Sequence, residues 1–439
     1  MASSPPEVGA PAGAGVGVDA DAPPFVLAAA ERLGARLCRD AIWAGERCAW
    51  VGPVDRADAD GAWRPVFEAT GPDLYGGTAG IALFLAHLHA LTGERAYRSA
   101  ALGAARHAVS RLDGIPPEQR LALHGGWTGI ALAAWQVEGA TGAEGLAAPA
   151  LDALEALEVG PTREAGDTLD VVGGAAGAIA PLLALARATG RERLRERAAA
   201  AGERLLGAAE RAGDAASWAT ITQPGEPHLC GAAHGASGIA TALLELHADA
   251  DAAAPDERHR TTARAAFAFE AAHFDRSAGG WPDLRAWVAA ADPGVPPPVG
   301  ATWCHGSTGG ALTRLRALAL DPDAPGLRDH AARALRTVAS AANGRDGRDD
   351  ASLCHGAAGL GEALLDGAEA LGDRRLRDAA LGLARRHADA RLAGTPGRSG
   401  LICGLEAPGL MLGDAGLGHH LPRLAAPSHV PSILQVRAT

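Results

Sequence analysis

Gly77-Thr78-Ala79-Gly80-Ile81-Ala82-Leu83-Phe84-Leu85-Ala86 opens with two glycines three residues apart and runs on without a charge. The same step, Gly-x-x-Gly followed by an apolar segment, returns at Gly126/Gly129, Gly174/Gly177, Gly235/Gly238, Gly306/Gly309, Gly356/Gly359 and Gly413/Gly416. The seven first glycines stand 48 to 71 residues apart, room each time for two helices and their loops. Between them lie charged stretches with helical periodicity, such as 94–112, 191–211, 327–342 and 373–392, which read as amphipathic helices with a wet face. The Gly-led segments are apolar nearly all round and read as buried. This alternation predicts an all-α fold in two layers. Seven helix pairs, none able to bury its apolar member alone, can stack as an open solenoid or close into a ring, and periodicity alone does not choose between them.

The 439-residue composition narrows the chemistry. All 40 basic residues are Arg, which excludes a Schiff-base lysine and a P-loop lysine. A net charge of −11 and a pI near 5.8 argue against a nucleic-acid-binding surface. Glycine, at 58 positions, is in excess, whereas aromatic residues make up only 4%. The six cysteines, at 38, 48, 230, 304, 354 and 403, are too scattered for a disulfide framework. No secretory signal stands at the N-terminus, and the longest charge-free apolar run, 171–186, is too short to span a membrane. The expectation is a cytoplasmic protein with reduced thiols, where Cys beside His points to metal binding or catalysis. Residues 1–24 have almost nothing to bury and read as disordered, leaving 25–439 as one domain. The Pro-rich 293–300 and the polar 340–350 read as loops.

A single glycine in such a step reads as a tight turn or a close helix approach. The neighbours add chemistry. His234, His305 and His355 each directly precede the first glycine of their step, and His124 stands one residue further back. If the steps are equivalent, these histidines gather at one end of the assembly. The strongest pair is Trp303-Cys304-His305-Gly306 and Cys354-His355-Gly356, one repeat apart. Thiolates with imidazole form a zinc donor set; three protein ligands leave a catalytic open position and four make a closed structural site. The residues themselves offer four donors and leave the set open, with inert buried cysteines as the plain alternative. Cys38, Cys48, Cys230 and Cys403 read as buried small residues, and His124 as structural.

The seven steps, the Trp-Cys-His-Gly and Cys-His-Gly pair, Gly231-Ala-Ala-His234-Gly, Trp281-Pro-Asp-Leu-Arg285 and the closing Pro408-Gly-Leu-Met-Leu-Gly-Asp-Ala-Gly-Leu-Gly418 together resemble the lanthionine synthetase C-like (LanC) cyclases. The resemblance runs from about residue 30 onward. It implies an α/α toroid, a double-layered barrel of seven inner and seven outer helices. It implies one zinc ion held by Cys304, Cys354 and His355, a catalytic His234 and an acidic partner, Asp170, whose plain alternative is a helix cap. Where the family places an Arg four residues before the first zinc Cys, this chain has Gly300; His305 or Arg285 is then the candidate for the missing positive charge.

The activity so implied is zinc-dependent lanthipeptide cyclisation. Cysteine thiolates of a precursor peptide add to dehydroalanine or dehydrobutyrine, made by a separate dehydratase, and close lanthionine or methyllanthionine rings. A metal-bound thiol is deprotonated outright, and a histidine titrating near the working pH can return a proton to the α-carbon. Two alternatives stay open: a thiol transferase adding glutathione to dehydroamino acids, and a non-catalytic, zinc-stabilised peptide-binding scaffold.

Overall fold

The computed structural model describes residues 22–438 except 59–60, 161, 163–165, 222–224, 253 and 293. The segment expected to be disordered therefore lies, up to residue 21, outside the described residues. Helix α1 (Pro24–Asp40) opens with a proline, whose fixed φ suits a first helical turn. The helices then come in pairs: α2 (Thr78–Thr92) and α3 (Arg95–Val109), α4 (Trp127–Thr141) and α5 (Ala148–Ala156), α6 (Ala175–Thr189) and α7 (Glu192–Gly207), α8 (Ala236–His247) and α9 (Glu257–Ala272). A short α10 (Ala286–Ala291) precedes α11 (Ser307–Leu320) and α12 (Leu327–Gly344), α13 (Ala357–Leu371) and α14 (Arg374–Leu392), and finally α15 (Asp414–Ala425).

Helices α2, α4, α6, α8, α11, α13 and α15 each pack on the next, and α15 packs back on α2, so the ring is closed. Each has an outer partner: α3, α5, α7, α9, α12 and α14 follow theirs in sequence, while α1 returns to cover α15. Among the described residues the fold is thus an α/α toroid of seven inner and seven outer helices. The two layers follow from the two sequence patterns. In α2 every residue from Thr78 to Leu88 is buried. In α12 burial is confined to one face, including Leu327, Ala331, Ala334, Leu335 and Val338.

The Gly-x-x-Gly step has a steric cause. Ahead of each inner helix the chain folds against the first turn, and a methyl group on the second glycine would overlap the carbonyl oxygen six residues earlier: Leu74 at Gly80, Leu123 at Gly129, Ala232 at Gly238, Trp303 at Gly309. Gly238→Ala is accordingly expected to cost about 1–3 kcal/mol through overpacking. Gly114→Ala, whose new Cβ would meet nothing within 4 Å, should stay within about 0.5 kcal/mol of wild type, both variants being read by thermal melts.

The structure departs from the sequence reading in several places. Helix α12 continues through 340–344, part of the expected loop, because Ala342 still faces the core. The helix expected to reach Arg211 ends at Gly207. Three antiparallel ribbons appear: β1 (Ile42–Ala44) with β2 (Arg47–Ala49), β3 (Val51–Ala57) with β4 (Trp63–Ala69), and β5 (Glu210–Ala212) with β6 (Ala215–Ser217). No described helix is long and apolar enough to cross a membrane.

Beyond α15 the chain turns back into the bore. Ser432 Oγ donates to Glu362 on α13 at 2.7 Å, the Trp303 indole donates to the Leu434 carbonyl at 3.3 Å, and Arg437 meets Asp366 at 3.0 Å. Ala438 donates to Glu245 on α8, while its carbonyl accepts from Arg187 on α6. Ile433 and Leu434 are buried. Buried in this network is Glu362, which accepts from Arg423 Nε at 2.8 Å and lies 2.7 Å from His420 Nδ1. Burial alone would raise its carboxyl; Arg423 and His420 hold it well below the usual carboxylate range. Glu362→Ala leaves the Arg423 charge short of a buried partner and is expected to cost about 3–5 kcal/mol, read from the denaturant midpoint.

Candidate functional site

Each loop before an inner helix carries a residue two positions ahead of the first glycine: Tyr75, His124, Val172, Ala233, Cys304, Cys354 and Met411. Backbone hydrogen bonds join neighbouring loops around the mouth. Tyr75 N–H donates to the His124 carbonyl (3.0 Å), His124 to Val172 (3.2 Å) and Val171 to Ala233 (3.0 Å). Trp303 donates to Cys354 (2.9 Å), Cys354 to Met411 (3.0 Å) and Met411 to Tyr75 (2.8 Å). Between the His234 loop and the Cys304 loop stands Gly231, at φ +112°, where an added Cβ would lie 2.8 Å from the Cys304 carbonyl oxygen. Only glycine allows both that backbone conformation and that approach.

This register converts one-dimensional spacing into a site. Cys304 and Cys354 occupy equivalent positions on adjacent loops, and with His355 their donor atoms all lie within 4.8 Å of one another. These three side chains form a cluster able to hold a metal ion. The two thiols share a charge. A hydrogen bond from Cys354, opposed by burial and helped by His355 and His305, holds Cys304 well below the ordinary thiol range. Cys354, as the donor and also buried, is pushed up. A borderline-soft cation suits such a charge-sharing thiol pair better than a hard one. A second group of donors, Glu203, Asp256 and His259, lies in the outer layer, but Arg258 already spans its two carboxylates at 2.5 and 2.6 Å.

His234 and Asp170 also meet. His234 Nδ1 lies 2.6 Å from Asp170 Oδ2, and the other carboxylate oxygen accepts the Gly173 N–H at 2.7 Å. Asp170 is therefore not the cap of α6, whose N-cap is Gly174 without a side-chain bond; it braces the preceding turn and the imidazole together. The His234 side chain remains 32% exposed, so its far edge faces the mouth. Burial alone would lower its pKa, but the hydrogen bond and charge of Asp170 outweigh this and raise it. Thr220 Oγ1 donates to the His234 carbonyl at 2.6 Å and pins the loop.

His305 stacks on His234 with ring centroids 5.3 Å apart and planes 21° from parallel. Burial pushes its imidazole down to about 4, so it carries no charge near neutrality. Arg285 is a cation whose charge acts on His234, His305 and His355. Its guanidinium is clamped by Asp283 at 2.5 Å and lies 4.5 Å from the Trp287 ring centre. At Gly300 itself there is no side chain to supply charge.

Two neighbours were absent from the sequence reading. Tyr75 forms a side-chain hydrogen bond with Cys354 and packs edge-on against His124. Gly400 makes room for the metal-cluster histidine, since a Cβ there would lie 2.9 Å from His355 Nδ1. Tyr75 was findable: it holds the same register as the two cysteines. Gly400 lies outside the repeat. His124 is buried, with both ring nitrogens unpartnered, between Tyr75 and Trp303.

Comparison with known proteins bears on fold and family. Among curated proteins no sequence matches significantly. Among solved structures, nisin cyclase aligns with a TM-score of 0.60 at 18% identity, over 80% of this chain and 88% of that one. A glycoside hydrolase family 76 α-mannanase of Bacteroides thetaiotaomicron aligns at a TM-score of 0.48 and 11% identity, over 92% of this chain and 96% of that one, a likeness too distant to bear on chemistry. The model of the family described as lanthionine synthetase C-like protein matches residues 68–435, which takes in all seven glycine steps together with the Cys304–Cys354–His355 cluster and the His234–Asp170 pair; this chain belongs to the lanthionine synthetase C-like family.

Proposed function

We propose that the protein is a zinc-dependent cyclase that closes thioether rings in a peptide already dehydrated by a separate enzyme. The observation that carries this reading is the convergence of a donor trio, Cys304, Cys354 and His355, with the hydrogen-bonded His234–Asp170 pair at one mouth of the toroid. Zinc held by that trio would supply the peptide cysteine as a thiolate at neutral pH, where a free thiol of pKa ~8.5 is mostly protonated. The chain's own residues do the rest. As sulfur bonds to the β-carbon of dehydroalanine or dehydrobutyrine, the C=C electron pair moves to the α-carbon and its carbonyl. His234 gives its proton to the α-carbon, and the imidazole later recovers the one lost by the thiol. Asp170 fixes the imidazole tautomer and stabilises its charged form. Arg285 is the cation placed to favour the developing negative charge, in the role left empty by Gly300.

Cyclisation adds no mass but consumes thiol and alkene together. With zinc and a dehydrated Cys-containing peptide, the protein should therefore protect the peptide from thiol alkylation. Added glutathione should not appear on it; a glutathione adduct in place of a ring would favour the transferase reading. The rate should also follow the charge state of His234. Its proton is present below its pKa and lost above it, and that pKa is raised by Asp170. The rate should decline as pH rises through this raised pKa, and in Asp170→Asn decline at a lower pH.

A further inference from the structure

Glu270, on outer helix α9, and Arg314, on inner helix α11, are both fully buried, with Arg314 Nη1 2.7 Å from Glu270 Oε2. A buried ion pair is weak evidence for stability, because desolvating two charges offsets most of their attraction. Its surroundings suggest another use. Glu270 Oε1 accepts two backbone N–H bonds at 2.8 Å, from Gly231 and from Ser237. These residues bracket His234, so one carboxylate oxygen grips the histidine's loop from both sides. Arg314 lies on the helix that begins directly after Cys304-His305-Gly306. The pair therefore ties the His234 loop to the helix that carries the Cys304 loop.

The Trp281-Pro-Asp-Leu-Arg285 motif completes the joint. The Trp281 ring centre lies 3.9 Å from the Arg314 guanidinium, and its indole N–H donates to the Glu270 backbone carbonyl at 2.9 Å. Gly310 on α11 leaves the space that this ring fills. Phe267 closes another side at 5.1 Å from the guanidinium. Charge and aromatic packing thus hold a carboxylate at one place and orientation.

We propose that Glu270 is a positioning residue, locked by Arg314 and Trp281, that sets His234 in register with the Cys304 loop. The proposal rests on the cyclase reading for its kinetic consequence and on geometry alone for its structural one. The test compares two double variants without buried charge, because Glu270→Ala alone would strand Arg314. Glu270→Gln/Arg314→Met keeps an oxygen for the Gly231 and Ser237 amides; Glu270→Ala/Arg314→Met does not. Hydrogen exchange followed by mass spectrometry should show peptides covering 230–238 exchanging roughly ten-fold or more faster in the Ala variant, with the equivalent 121–129 loop unchanged and the Gln variant close to wild type. In cyclisation of a dehydrated peptide, the Ala variant should lose roughly ten-fold or more in kcat at unchanged KM and unchanged zinc content, and the Gln variant should recover most of it. Equal exchange in the two variants, or an equal rise in all loops, would overturn the proposal. So would unchanged kcat in a zinc-loaded Ala variant of an active enzyme. If the wild type forms no rings, the cyclase reading fails, while the exchange comparison still decides the role of Glu270.

Discussion

Exchanging Cys304 for alanine is expected to take the bound zinc from about one ion per chain, the count for a single three-ligand site, to none measurable after dialysis. Ring closure should fall on the order of 10²- to 10³-fold. Part of that loss is protonation: at pH 7 a thiol of pKa ~8.5 is only about 3% thiolate, roughly a thirty-fold handicap. The remainder is position, since a peptide cysteine with nothing to hold it must find the alkene by diffusion. Cys354→Ala should behave the same way, because Cys354 stands at the equivalent place on the next loop. Cys230→Ala is the control: Cys230 is buried near Glu270 and Arg314, outside the donor trio, and its loss should leave metal content unchanged. A Cys304→Ala protein that closes rings at the parental rate would rule out the proposed chemistry.

The second large effect belongs to His234. His234→Asn should retain zinc, since His234 is not in the donor trio, yet lose about 10²- to 10⁴-fold in kcat, the usual range for a general acid in proton transfer. Asp170→Asn should also keep zinc and lose up to about 10⁴-fold, because an amide can hold the ring in the wrong tautomer and no longer stabilises its charged form. Zinc content, kcat and the pH profile measured on the same samples separate this from a misfolded site. Loss of zinc in His234→Asn would move the histidine from proton donor to metal support.

How much of this was legible in the sequence depended on whether a residue sat in the repeat. Cys304 and Cys354 could be brought together on paper because equivalent positions in adjacent repeats must be neighbours, and the hydrogen-bonded loops at the mouth show that equivalence in atoms. Tyr75 shares the register but was passed over, because a phenol is not an expected zinc donor. The closing of the ring and the pairing of His234 with Asp170 came from family resemblance, since spacing contains neither. Glu270 was hidden for a different reason. On an amphipathic outer helix a glutamate reads as one more wet-face charge, and only the packed structure shows it sealed beneath Trp281. The ribbon of β3 and β4 was obscured by Pro53 and Pro65, which argue against a strand in any sequence reading. Residues 427–438 have no periodicity to read, and their place is set by side chains far off in sequence, on α6, α8 and α13.

That last segment acts as a strap across the inner ring. It bonds to Arg187 on α6, to Glu245 on α8, to Glu362 and Asp366 on α13 and to Trp303 just ahead of α11, so one stretch of chain crosses the ring from sector to sector. Four of the inner helices are 15 residues long, which at 1.5 Å per residue gives a wall about 22 Å deep. On the cyclase reading, a peptide would meet this crossing segment inside the ring, and would enter from the mouth as a bend and withdraw the same way.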